Sequence, residues 1–388
     1  MKIFSRTAQG FHIFFPLAGL WAVLAMTAWL AIRAGLLPAP EGNLPTAWIH
    51  GHEMLFGFTA AAAAGFMLTA TPVWSKTPPL TGLPLQGIAI AWLLGRAGMI
   101  LNHLLPPWWP ALADTIFFVG FLAFISPTLW STGNRVHRIF PILLGLFALG
   151  DLLFHMETLA GFPTARAGLG LGGNAILFFL VMTGGHIMPM FTREALKARG
   201  VDLPFPISPA LEILGAVTIS LLTLADLFLP DHPLVAWTCL AAGLVQVVRF
   251  LRWHGYKTLH DPLLWVLHLG YFWLVAGLLL RGFARLTGSH DDISVRHALY
   301  VGAMGLFTLG IMSRISLLHT GRPAVAPRPA TMAFLTVAIA AVIRVFLFPG
   351  DPTLATWLAG GLWIIAYALF CGAFLPILNA PAPAKPAG

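Results

Sequence analysis

Charge is what this sequence has least of. Only 9% of its 388 residues are Asp, Glu, Lys or Arg, against roughly 25% in soluble globular proteins. So few ions cannot clothe a water-soluble surface, and a soluble fold is excluded. Cysteine is nearly missing: Cys239 and Cys371 stand alone inside apolar runs, which excludes a disulfide framework or a cysteine-based metal motif. No C-x-x-C-H is present for covalent haem, and no glycine-rich nucleotide loop or Ser/His/Asp pattern is visible. "HGHEM" (50–54) is not the zinc motif H-E-x-x-H, because its histidines are two apart rather than four. The short alternating segments of a membrane barrel are absent as well.

What the chain does have is apolar length. Hydrophobic residues make up 58% of it, in blocks that meet the ~20 residues a helix needs to cross hydrocarbon. The pattern predicts an all-α, polytopic membrane bundle. Its twelve helices fall at about 12–35, 50–73, 84–105, 110–130, 138–161, 170–192, 208–229, 232–253, 262–286, 295–319, 330–348 and 352–376. They form a single transmembrane domain over 1–376, followed by a tail over 377–388 rich in Ala and Pro and expected to be disordered. Breakers sit between them: "TPPLTG" (77–82), "LLPPWWP" (104–110) and "PFPIS" (204–208). With both termini in the cytoplasm, fifteen of the 22 Lys and Arg face that side, as the positive-inside rule requires. Topology thus accounts for the net charge of +8, and no nucleic-acid partner is needed; membrane lipid is the partner the composition demands.

Histidine is plentiful, with fourteen in the chain. Ionisable groups inside membrane helices are costly and turn to the bundle interior, where they bind, relay protons or pair. On this topology His50, His52, His103, His155 and His297 lie toward the non-cytoplasmic side, and His186, His268 and His319, with His12 and His137 more peripheral, toward the other. His297 and His319 are about 33 Å apart along a helix, comparable with the ~30 Å hydrocarbon thickness. They cannot share a site, so metal ligation by histidine predicts two sites at different depths. His50 and Glu53 are i,i+3 neighbours, whereas His50 and His52 point roughly 200° apart and are not expected to chelate one ion. Asp151 precedes His155 by one turn; that pair suits a metal ligand with its orienting carboxylate, a proton relay, or a structural hydrogen bond.

Other polar residues extend the pattern. "MTGGHIMPMFT" (182–192) combines Gly184 and Gly185, which admit a close neighbour or a flat ligand, with Pro189, which bends the helix beside His186. Met188 and Met190 suit copper, or simply fill lipid-facing space. His268, about 9 Å into its helix from Pro262, requires a metal or a hydrogen-bonding partner. Arg96, Arg281, Arg314 and Arg344 can pair with carboxylates such as Asp114 and Glu53, or hold the propionates of a haem.

Several long segments together resemble the NnrS family of haem- and copper-containing membrane proteins of nitric oxide metabolism. They are "HGHEMLFGF" (50–58), "LTATPVWSKTPPLTG" (68–82), GG-x-x-x-P-M-F-T (184–192), "LHLGYFWLVAGLLLRG" (267–282), "RHALYVGAMGLFTLGIMSRISLLHTGR" (296–322) and "AVIRV" (341–345). The resemblance implies that His50, His52, Glu53, His155, His268, His297 and His319 belong to the functional core. It also implies one or two b-type haems, with copper, in a bacterial cytoplasmic membrane. On this reading His50 or His52 is an axial haem ligand with Glu53 as proton donor or anchor, and His297 or His155 is its partner. His268 and His319, with His186, would hold a second haem or copper. Arg96, Arg281, Arg314 and Arg344 are candidates to bind the cofactor, and Asp151 and Asp114, with Glu53, to bring in protons.

The activity this implies is binding and reduction of nitric oxide with electrons from a donor such as quinol. Two other readings stay open. One is a non-catalytic haem protein that senses nitric oxide or protects against it. The other is a transporter using Asp–His pairs as proton couplers, although the inverted repeat common in such folds is not visible.

Overall fold

The computed structural model describes residues 5, 7–40, 44–101, 104–203, 208–289 and 292–381. His103 and the end of the tail, 382–388, lie outside the described residues. Within them the protein is helical, with no strand. Twelve helices are long and apolar enough to cross a membrane. They are α1 Gly10–Arg33, α2 Thr46–Ser75, α3 Gly82–Ile100, α4 Trp108–Trp130, α5 Arg135–Ala160, α6 Ala165–Lys197, α7 Pro209–Phe228, α8 Leu234–Leu251, α9 Pro262–Thr287, α10 Asp292–His319, α11 Arg328–Leu347 and α12 Pro352–Asn379.

Local chemistry sets the boundaries. Pro209 and Pro262 open α7 and α9 at the first helical position, where the missing N–H costs nothing. Asp261 caps α9, its carboxylate accepting from the Leu263 N–H at 2.9 Å. Gly161 and Gly288 end α5 and α9 in the left-handed conformation that glycine adopts without strain. Helix ends differ from the hydropathy pattern by a few residues. α2 begins at Thr46 rather than 50, and α12 runs on to Asn379, because apolarity reports hydrocarbon thickness while hydrogen bonding continues into the interface.

The unforeseen feature is π-helical winding. It occurs at Glu53–Thr59 in α2, at Ala298–Met304 in α10 and at Ile343–Leu347 in α11. Such turns are rare and concentrate at functional sites. Hydropathy periodicity does not show them, because a continuous apolar run looks the same whether wound as α or π.

The chain divides into two compact units. The first comprises Met1–Ala175, Ile315–Pro323 and Phe370–Gly388, and the second Ile176–Arg314 and Ala324–Leu369. In the first unit α1 packs on α2 through small residues: a Cβ on Gly65 would collide with the Phe15 ring. α5 and α6 approach backbone to backbone, where a Cβ on Gly150 would lie 2.7 Å from the Gly168 carbonyl oxygen. In the second unit α8 and α9 pack closely, with Gly243 against Leu278 and Leu279.

Candidate metal centre

α2 meets α3, α4 and α5 of the first unit around His52, which is wholly buried. Its Nδ1 lies 2.9 Å from Glu53 Oε1 and its Nε2 2.9 Å from Asp151 Oδ1. Across from it, His155 Nε2 is 3.2 Å from Asp114 Oδ2 and 3.8 Å from Asp151 Oδ1. Arg96 closes the ring of charge, donating from Nη1 to Glu53 Oε1 at 2.7 Å and from Nη2 to Asp114 Oδ1 and Oδ2 at 2.5 and 2.6 Å.

The local sequence makes this possible. Within the π-helical turn the Gly57 carbonyl accepts from Trp92 Nε1 at 3.1 Å. A Cβ on Gly57 would collide with the Trp21 indole and crowd Arg96. Gly95, next to Arg96, leaves room for the Asp114 carboxylate, which any Cβ there would overlap. Phe154 and Phe56 wall the site, their rings 4.3 and 5.2 Å from that of His52.

Three carboxylates therefore share a buried, aromatic-walled pocket with one guanidinium, which touches two of them. Buried charge has to be compensated, and the remaining positive charge must come from the two imidazoles or from a cation. The donor set suits a cation. One atom each from His52, Asp114, Asp151 and His155 lies within 4.8 Å of every other, and all four residues are buried. Two imidazoles and two carboxylates form a borderline-to-hard set suited to a divalent transition ion. Glu53, accepting from the other nitrogen of His52 and itself held by Arg96, is the kind of partner that fixes the tautomer of a metal-binding histidine.

Of the residues singled out in the sequence, His52, Glu53, Arg96, Asp114, Asp151 and His155 thus come together. His50 does not join them: its ring stacks on Trp29, with centroids 4.7 Å apart and planes 17° from parallel. Glu53 turns to His52 rather than to its i,i+3 neighbour His50, where the helix passes into π winding. His319, also in the first unit, lies with its ring centroid 5.4 Å from that of Phe11.

The other candidates belong to the second unit. His268 is buried, its Nε2 2.9 Å from Thr192 Oγ1, and its ring lies against Gly255, where a Cβ would overlap it. His297 Nδ1 donates to the Ile293 carbonyl at 2.6 Å. His186 is half-buried on α6 and senses Glu212 electrostatically. Arg281 grips Asp226 through Nη1 and Nη2 at 2.7 and 2.5 Å and reaches Asp292 at 3.2 Å. Arg314 lies over Phe191, 4.0 Å from the ring centre. Arg344 lies over Phe348 at 3.7 Å. Arg281 is thus held by carboxylates of its own unit.

Sequence reasoning missed one network altogether. Arg249 on α8 donates to Glu212 Oε2 at 2.7 Å, Gln246 Oε1 at 2.6 Å and the Tyr271 hydroxyl oxygen at 2.9 Å. The Tyr271 hydroxyl in turn donates to Gln246 Oε1 at 2.5 Å. The available signal was the i,i+3 spacing of Gln246 and Arg249 in an otherwise apolar helix, which the orientation count had absorbed. This network also explains the paired glycines of α6. A Cβ on Gly184 would lie 2.8 Å from the Tyr271 ring, and one on Gly185 would overlap the Arg249 guanidinium. Gly185→Val is therefore expected to destabilise the protein by about 1–3 kcal/mol through overpacking, read as a lowered Tm in detergent. Gly87→Val on α3, where a Cβ would meet open space, should cost less than about 1 kcal/mol, the helix position being tolerant of side chains.

Compared with known families, residues 6–381 match the family model described as NnrS protein. A comparison with curated proteins finds no match.

Proposed function

We propose that this chain, which belongs to the NnrS family, is a multi-pass membrane metalloprotein that binds and reduces nitric oxide, its metal held by His52, Asp114, Asp151 and His155. The observation that carries this reading is the convergence of those four buried donors around three carboxylates of which the one guanidinium touches two. A bound divalent transition ion supplies a redox-active or Lewis-acidic centre there.

The chain's own residues supply the rest. Glu53 holds the His52 ring in one orientation, and Arg96 locks Glu53 and Asp114 in place. Phe56 and Phe154 wall the His52 ring. Glu53 is also the least enclosed member of the group: its side chain is 11% exposed against 0–2% for its neighbours, while its Oε2 is buried without a hydrogen-bond partner. Protons for reduction would pass through Glu53 to the imidazole of His52, with electrons taken from a membrane donor such as quinol.

The same geometry constrains the cofactors expected from the family. Haem does not fit His52, since both ring nitrogens face carboxylates at 2.9 Å. It does not fit His268 either, whose Nε2 is engaged by Thr192 and whose ring is pressed on Gly255. The metal centre contains no sulfur donor, so if copper occupies it, the donors favour Cu(II) over Cu(I).

The test is metal analysis and a visible spectrum of the purified protein, followed by nitric oxide consumption with a quinol analogue. We expect a transition metal bound at the cluster and steady-state consumption of nitric oxide. A protein that binds no transition metal overturns the reading. A fully reduced, metal-loaded protein that binds nitric oxide without turnover removes the catalytic part and leaves a protective or sensing role.

A further inference from the structure

Five arginines of the membrane helices share a habit that Arg314 does not. Arg96 pairs with Glu53 and Asp114, Arg249 with Glu212, Arg281 with Asp226, and Arg285 and Arg296 with Asp292. Arg314, near the end of α10, has no carboxylate at ion-pair distance among the described residues, and its Nε is buried without a hydrogen-bond partner. Its electrostatic neighbours are Asp261 and Glu194. Asp261 already accepts from the Leu263 N–H as the cap of α9, and Glu194 is exposed. What Arg314 does have is the Phe191 ring beneath its guanidinium, 4.0 Å away.

Its depth narrows the choice of partner. Arg314 is about 13 Å from the midpoint of α10 at 1.5 Å per residue, and Phe191 about 15 Å from that of α6. Half the hydrocarbon core is about 15 Å. If each helix is centred in the bilayer, both residues lie where acyl chains give way to headgroups. A guanidinium at that level without an anion is costly. One with an aromatic ring over its face keeps its in-plane N–H groups for a planar, bidentate grip on an oxyanion. The oxyanion abundant at that level is the phosphate of the lipids themselves.

We propose that Arg314, lying over Phe191, is the seat of a phosphate oxyanion supplied by the headgroup of an anionic phospholipid. The proposal does not depend on the metal centre and can fail without it. The experiment uses the full chain, purified in a neutral detergent, delipidated, and titrated with phosphatidylglycerol while bound lipid is counted by native mass spectrometry. Wild type should retain a tightly bound lipid, and Arg314→Gln should lose at least about tenfold in affinity, equivalent to 1.4 kcal/mol. Arg314→Lys, which keeps the charge but not the fork, should fall between them. Phe191→Leu should weaken binding, and Lys197→Gln, removing an exposed cation farther along α6, should leave it unchanged. Phosphatidylglycerol binding by Arg314→Gln at wild-type affinity overturns the proposal. So does displacement of the lipid by inorganic phosphate alone at matched concentration, which assigns the seat to the free anion. Loss of haem from Arg314→Gln with lipid binding intact also overturns it, assigning the seat to a cofactor carboxylate.

Discussion

Arg96→Gln should lower the stability of the folded protein by about 3–5 kcal/mol, the cost of breaking a buried ion pair from one side. The reason is what it leaves behind. Among the described residues Arg96 is the guanidinium that touches Glu53 and Asp114, at 2.5–2.7 Å, and both carboxylates are buried. Glutamine can offer one hydrogen bond but no charge, so two buried carboxylates lose the guanidinium that faces them. Arg96→Lys should be milder, since it restores the charge without the fork that reaches two carboxylates at once. Arg33→Gln, at the exposed end of α1, should stay within about 0.5 kcal/mol of wild type. Thermal unfolding in one detergent, with all variants compared at equal metal content, measures the series. A loss below about 1 kcal/mol for Arg96→Gln would show that Glu53 and Asp114 are neutralised by something other than this arginine.

The sequence made the membrane character and the helix count plain, because both follow from sums over long windows. Hydrocarbon thickness fixes how many apolar residues a crossing needs, and the breakers between runs are proline-rich enough to locate the loops. Single residues of the site were legible for the same reason: Asp114, Asp151 and His155 stand out because they interrupt largely apolar runs. What could not be read was which of them meet. That depends on interhelical contacts between α2, α3, α4 and α5, and on one winding change. Glu53 serves His52 while His50 turns to Trp29, at the point where the helix passes into π winding, and no periodicity in "HGHEMLFGF" announces it. A glycine in a sequence permits close approach without naming what approaches. Gly95 admits Asp114, Gly57 admits Trp21, and Gly185 admits Arg249, so each marks where a bulky side chain arrives from another helix. The Arg249–Glu212–Gln246–Tyr271 network was hidden by bookkeeping of a different kind, since a Lys/Arg count for orientation treats a buried arginine and a loop arginine alike.

Removing one donor from the cluster should separate the histidines cleanly. His155→Ala and His52→Ala are each expected to take bound metal from about one ion per chain to less than about a tenth, given that affinity rests on a complete, deprotonated ligand set. Asp151→Asn should do nearly as much, because its Oδ1 faces both imidazoles, at 2.9 and 3.8 Å. Glu53→Gln, which leaves the four donors intact but weakens the hold on His52 Nδ1, should cost roughly 10–100-fold in affinity. His50→Ala should keep the metal, since that ring is stacked on Trp29 rather than turned to the carboxylates. Stability offers a second readout that does not depend on activity. A metal present at about 1,000 times its Kd adds about 4.1 kcal/mol to a protein that binds it only when folded. A chelator should therefore lower the Tm of wild type and of His50→Ala sharply, and leave His155→Ala almost unmoved. Equal metal content in His50→Ala and His155→Ala, whether both full or both empty, would mean that the ion is held somewhere other than between α2, α4 and α5.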